Sequence, residues 1–276
     1  MRKPYVAGQF YPSGKKALKD AIESCYLHRL GPGKIPEIGK DRRIVGAVVP
    51  HAGYMYSGPV AAFAYYEIGS DGKPETFVII GPNHRGMGPG IALSSESWET
   101  PLGRVNTDEE FVEDLSSLGF DVDDDAHMYE HSLEVQLPFL QELYGDFSIV
   151  AITTWMQDFD TCKELGEAIS KVTKKLGRET IVLASTDFSH YEPHEVARKK
   201  DNIAIKAIVD MDPLKLSEVV YSESISMCGT GPTISALIAS KELGAKTSSL
   251  LKYATSGDIT GDRSRVVGYA SIVMRR

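Results

Sequence analysis

Short apolar runs alternate along this chain with longer stretches whose apolar residues recur at helical spacing, and several runs stop at a histidine. Ile44 to Val49 is β-branched and bounded by Pro50 and His51, which predicts a fully buried strand. Thr76 to Ile80 repeats the pattern and leads into Gly81-Pro82-Asn83-His84. Ile181 to Ala184 leads into Ser185-Thr186-Asp187-Phe188-Ser189-His190. Phe147 to Thr153, Leu250 to Thr255 and Val266 to Val273 read as further strands, and the alternating Ile91 to Val105, with its Pro-Leu-Gly turn, as an antiparallel hairpin.

Between the strands, Leu18, Ile22 and Tyr26 mark one face of a helix from Gly14 to Tyr26, and Leu165, Ala168, Ile169, Val172 and Leu176 do so for Asp160 to Leu176. Helices are also predicted over Pro59 to Ile68, Thr107 to Leu118 (capped by Thr107), Glu195 to Met211, Pro213 to Val220 and Thr233 to Leu243. In Glu130 to Leu140, Ser132 is placed to cap a helix kinked at Pro138, with His131 and Glu134 close together at its start. Interleaved strands and helices predict one α/β domain over residues 1–276, a mostly parallel central sheet flanked by helices.

A chain of 276 residues, 42% hydrophobic and 25% charged, is long enough to bury a substantial core. Its net charge of −8 argues against a nucleic-acid groove, and the basic stretches Lys171 to Lys175 and Arg198 to Lys200 read as solvated helix faces. Three scattered cysteines form no disulfide framework, which suits a reducing cytoplasm. The amino-terminal segment lacks the apolar core of a signal peptide, and no run approaches the roughly 18 apolar residues of a membrane span, so a cytoplasmic protein without membrane partners is expected. Homo-oligomer formation is left open.

The histidines change the picture. His51, His84 and His190 follow strands, where loops of an open α/β sheet converge on a crevice, and His131 opens a helix; His28, His127 and His194 sit in polar sequence. Imidazoles of this placement can share a zinc, iron or copper ion. Asp187 and His190 can form an acid–base pair in which the carboxylate orients the ring, or Asp187 can cap a following helix. Cys228, before Gly-Thr-Gly-Pro at a helix start, reads equally as a small buried hydrophobe or as a thiolate favoured by the helix terminus, whereas Cys25 and Cys162 read as packing residues. Tyr54 and Tyr56 can line a pocket, and the glycine-rich pieces at 86–90 and 229–231 match no phosphate loop.

Five ordered blocks, PHAGYMYSG at 50–58, GPNH at 81–84, EHSLEVQLPFLQ at 130–141, STDFSHY at 185–191 and MCG at 227–229, resemble the signature of the Memo family, whose microbial members are called AmmeMemoRadiSam system protein B. The likeness runs from VAGQFYP to the closing strands. It implies a fold similar to the class III, non-haem iron extradiol dioxygenases, with His51, His84 and Cys228 at the metal-binding positions, Asp187 and His190 beside them, and His131 in the same pocket. The cofactor so implied is a metal ion, iron or copper, with zinc as the alternative. Those dioxygenases use two histidines and a carboxylate. A cysteine in the third place is softer, favours Cu(I) or zinc, and is itself oxidisable. Three functions follow from the resemblance: a metal-dependent, dioxygenase-like oxidoreductase acting on a small molecule with His190, Asp187 and His131 handling protons; a non-catalytic protein binding a metal or a peptide, as animal members described as signalling mediators suggest; or a zinc hydrolase using the same ligands.

Overall fold

The computed structural model describes residues 1–276. Its centre is four parallel strands, β1 (Ile44–Val49), β8 (Thr180–Ser185), β2 (Thr76–Pro82) and β7 (Ser148–Thr154), side by side in that order. Every residue of β1, β2 and β8 is buried, as expected of strands covered on both faces. Beyond β1 lie β11 (Val266–Arg275) and then β10 (Thr247–Thr255), each antiparallel to its inner neighbour. Beyond β7 lie the short β3 (Ile91–Leu93) and β6 (Asp121–Val122), while β4 (Trp98–Thr100) and β5 (Gly103–Thr107) form the expected hairpin, and β9 (His190–Glu192) pairs with β11.

The alternate side chains of these strands divide the core into two layers. One layer packs under α1 (Lys15–Leu27), α2 (Tyr54–Asp71) and α4 (Leu137–Tyr144), through Leu18, Ile22, Tyr65, Ile68 and Leu140. The other packs under α3 (Glu109–Ser117), α5 (Phe159–Leu176), α6 (His194–Val209), α7 (Pro213–Ser222) and α8 (Thr230–Glu242), through Phe111, Leu165, Ile169, Ile208, Leu216 and Leu237. The short α9 (Ser256–Thr260) connects β10 to β11. The α/β architecture expected from the sequence is the one observed, and no helix is long and apolar enough to cross a membrane.

Local expectations fail where proline or capping chemistry was read one step too simply. Helix α2 begins at Tyr54 rather than Pro59, because the Tyr56 and Ser57 N–H groups already donate to Gly53 O and Pro59 is absorbed inside. Pro138 kinks nothing: it stands in the first turn of α4, where its missing N–H is not needed, after a 3-10 turn at Glu134–Gln136. Asp108, not Thr107, caps α3 by accepting the Phe111 N–H.

The topology places the functional loops. Val49 is in register with Ser185, and Ile80 with Ala184. The segments carrying His51, Asp187 and His84 therefore leave three adjacent strands at one end of the sheet.

Candidate metal centre

Three imidazoles meet there. The ligand atoms of His51, His84 and His131 all lie within 4.8 Å of one another, in a protein buried at His51 and open to solvent at His84. The His84 and His131 rings stack at 4.7 Å between centroids, and His51 stands edge-on to both, at 5.3 and 5.4 Å.

What fixes the His51 and His84 rings is the partner of each Nδ1. Gln136 donates its amide to Pro50 O and to Ser185 Oγ, and the Ser185 hydroxyl donates to Ser132 O at 2.7 Å. Ser185 Oγ is left to accept from His51 Nδ1 at 2.9 Å, so the His51 proton resides there and Nε2 keeps its lone pair. His84 Nδ1 lies 2.9 Å from Glu130 Oε1, and His131 Nδ1 3.3 Å from the same oxygen. A carboxylate can only accept, so His84 also holds its proton at Nδ1 and presents Nε2, whereas His131 Nδ1 is not aimed for a hydrogen bond and meets the carboxylate only as a nearby charge. Three clustered imidazoles, two of them tethered at Nδ1 so that Nε2 faces the cluster, have the arrangement of a metal site with part of its supporting shell in place. This donor set fits a transition-metal ion.

The electrostatics agree. Burial first, then the charges of His131, His84 and His190, hold His51 well below the ordinary histidine range. Burial lowers His131 to about 4 against the opposing pull of Glu130. Both rings are neutral, which is the ligating form. Burial would raise Glu130, but its hydrogen bond to His84, the His84 and His131 charges and the Ser132 N–H outweigh that and bring it down to about 2. Burial raises Asp187 to about 6, moderated by the His51 N–H that it accepts.

Cys228 lies on the other side of His51, its Sγ 3.2 Å from His51 Nε2 and accepting the Asp187 N–H at 3.3 Å. Gly229 permits this approach: a Cβ there would come within 2.5 Å of Ser185 O. The expected lowering of the thiol by the α8 terminus is not what the surroundings produce. Burial, then the Asp187 charge, push it above its ordinary range. Cys25 and Cys162 are buried packing residues, as expected.

The predicted orientation of His190 by Asp187 is not found. Asp187 turns toward His51, with Oδ2 4.0 Å from His51 Nε2, and it caps no helix. His190 is held instead by Ser226, donating Nδ1–H to Ser226 O at 2.7 Å and its backbone N–H to Ser226 Oγ, which leaves its Nε2 as a base. Likewise Glu134 does not accompany His131. It is buried against Arg2, at 2.5 Å, and accepts from Tyr5 N, Val6 N and Tyr11 Oη. His127 and His194, which sit in polar sequence, are both buried, His127 donating to Ala92 O and His194 facing Thr255. Sequence reasoning assigned no role to Glu130, Gln136, Ser185 or Arg2. The available signal was three buried-type polar residues, Glu130, Glu134 and Gln136, inside a segment otherwise apolar enough to be core.

His51, His84, His131, Asp187 and His190 all line a cavity of about 610 Å³, whose outer wall carries Phe10, Tyr56, Tyr191 and Arg265. Tyr54, by contrast, is buried in the core with its hydroxyl on Val135 O. Tyr191, at the rim, takes φ +59°, an unusual conformation for a bulky residue.

The chain is similar to known proteins along its whole length. An uncharacterized protein from Escherichia coli K12 has a similar fold, with a TM-score of 0.53 over 84% of this chain and 99% of its own at 12% identity. MEMO1 family proteins from Methanopyrus kandleri and Ignicoccus hospitalis are each 50% identical, covering 100% and 99% of this chain and 99% and 98% of their own. One from Methanothermobacter thermautotrophicus is 49% identical, covering 99% of both chains. The Memo-like protein family profile spans residues 2–273, and the chain belongs to that family.

Proposed function

We propose that the protein is a metal-dependent, dioxygenase-like oxidoreductase whose ion is held by His51 and His84 with Cys228 as third ligand in competition with His131, and with His190 and Asp187 handling protons around a small-molecule substrate. The observation that carries this reading is the meeting of three imidazoles, His51, His84 and His131, on the wall of an open cavity, with the Cys228 sulfur behind them against His51 Nε2. With N and S donors 3.2 Å apart, one ion can be bonded to both at the usual ~2.0–2.3 Å. A bound iron or copper ion supplies Lewis acidity and one-electron chemistry. The chain's own contribution is to keep the imidazoles neutral, to hold His190 Nε2 free as a base, and to offer Asp187, raised to about 6, as a second proton carrier near neutrality. Phe10, Tyr56 and Tyr191 supply flat apolar surface against which a small planar substrate can lie.

The test uses protein purified without a polyhistidine tag. Metal analysis of the wild type should find close to one equivalent of iron or copper, and the His51→Ala, His84→Ala double variant should lose it. Equal metal in both would end the proposal. Oxygen uptake with a panel of catechols then tests the chemistry. The Cys228 contact favours a second reading, a non-catalytic holder of a soft ion such as Cu(I); tight Cu(I) binding without oxygen uptake on any catechol would select it.

A further inference from the structure

We infer that Glu130 is the positioning residue of the metal centre, one carboxylate that sets the tautomer and aim of His84 through its ring, holds His131 in place through its backbone N–H, and so governs metal affinity. This rests on the proposed metal site and deepens it. The Glu130 side chain is fully buried, where an ionised group persists only if its oxygens are satisfied. They are more than satisfied. Oε2 accepts the His84 N–H at 2.6 Å, and Oε1 accepts the His131 and Ser132 N–H groups, each at 2.8 Å, as well as facing His84 Nδ1 at 2.9 Å and His131 Nδ1 at 3.3 Å.

All of the hydrogen-bonded partners are donors, so only a group with no hydrogen to give can occupy the position. An amide cannot. Whichever way a glutamine were turned, its NH₂ would face at least one N–H, from the His84 backbone on one side or from His131, Ser132 and the His84 ring on the other. Relief of that clash releases His84 Nδ1, and the ring becomes free to carry its proton on Nε2, where it cannot bind metal. The negative charge matters separately, since it raises the basicity of both imidazoles toward a cation at Nε2. From the other side, the Glu130 carbonyl is fixed by Arg2 Nη2 at 2.7 Å, and the Ser132 hydroxyl is tied to Pro82 O on the segment that carries His84. Glu130 is thus held to both histidine-bearing segments and has little room to adjust.

The experiment compares wild type, Glu130→Gln and Glu130→Asp as demetallated protein. Zn²⁺ affinity is measured by chelator competition, and the tautomer of His84 by ¹⁵N NMR of the imidazoles. Glu130→Gln is expected to weaken Zn²⁺ binding about 10- to 100-fold and to move His84 away from the Nδ1–H form; Glu130→Asp, which keeps the charge, is expected to recover part of that loss. Glu130→Gln binding Zn²⁺ within twofold of wild type, or retaining Nδ1–H at His84, would overturn the inference. Should Glu130→Gln fail to fold, the wild-type spectrum alone decides, because Nε2–H at His84 contradicts the positioning. A wild type that binds no Zn²⁺, iron or copper defeats the proposed metal site, whereas wild-type binding left untouched by Glu130→Gln defeats only the role of Glu130.

Discussion

The number of protons released when metal binds identifies the third ligand. At pH 6 His51 and His131 are already neutral, the one well below its usual range and the other at about 4, so nitrogen ligation by these rings releases almost nothing. Cys228 differs. Burial and Asp187 hold its thiol above the ordinary range, so it is protonated throughout pH 6 to 8 and must surrender one proton to bind as thiolate. Affinity should then rise about tenfold per pH unit, or about a hundredfold from pH 6 to pH 8, equivalent to about 2.7 kcal/mol. Asp187, at about 6, adds a smaller rise over the lower part of that interval as it ionises beside the ion. Zinc titrations in two buffers of different ionisation enthalpy at pH 7.5 give the count directly, and Cys228→Ala should reduce it from about one to near zero. A flat profile and unchanged proton release in that variant would refute thiolate ligation and give the third place to His131.

Other predictions concern the scaffold. Arg2→Met removes the guanidinium from Glu134 and from the carbonyls of His127 and Glu130, and should cost about 3–5 kcal/mol in denaturant unfolding, the range for breaking a buried pair; a loss under about 1 kcal/mol would show that the pair is not structurally needed. Stability should fall as pH drops from about 6.5 to 4, because His127 and His131, each lowered to about 4, take up protons near 6.5 only when unfolded; Asp187, raised to about 6, works in the opposite sense and offsets part of it. His127→Gln should therefore flatten the pH dependence of the urea midpoint between pH 7 and 5. Gly268→Ala would place its Cβ about 1.9 Å from Asp201 Oδ2, and by displacing the carboxylate that accepts the Ser189 N–H and Tyr253 hydroxyl should lower stability by about 1–3 kcal/mol in thermal or urea unfolding.

The strand ends were legible because buried parallel strands leave a local trace, β-branched runs closed by turn residues, and His51, His84 and Asp187 followed from their position just beyond them. His131 was legible as a residue opening a helical segment and as a member of a signature block. Which carboxylate serves which ring was not. Glu130 and Glu134 differ by four positions in the same segment, and what separates them is Arg2, more than a hundred residues away in sequence, which takes Glu134 out of the site. His190 pairs with the main chain of Ser226 for the same reason: a carbonyl is available at every residue, so no side-chain pattern announces it. Helical spacing, in turn, cannot reveal that His127 and His194 are covered by other parts of the chain.

Because β1, β8 and β2 are locked by continuous parallel ladders, the places from which His51, Asp187 and His84 depart are fixed before any ion arrives. An ion taken up there would enter a cradle that already has its shape, unlike a zinc finger, whose ligands are gathered from an unfolded chain. Uptake should be governed by desolvation and access through the exposed His84 side, and stripping the metal with a chelator should leave the far-ultraviolet dichroism and cooperative melting of the protein intact. Loading and unloading should then be repeatable on a folded chain, with the core staying covered throughout.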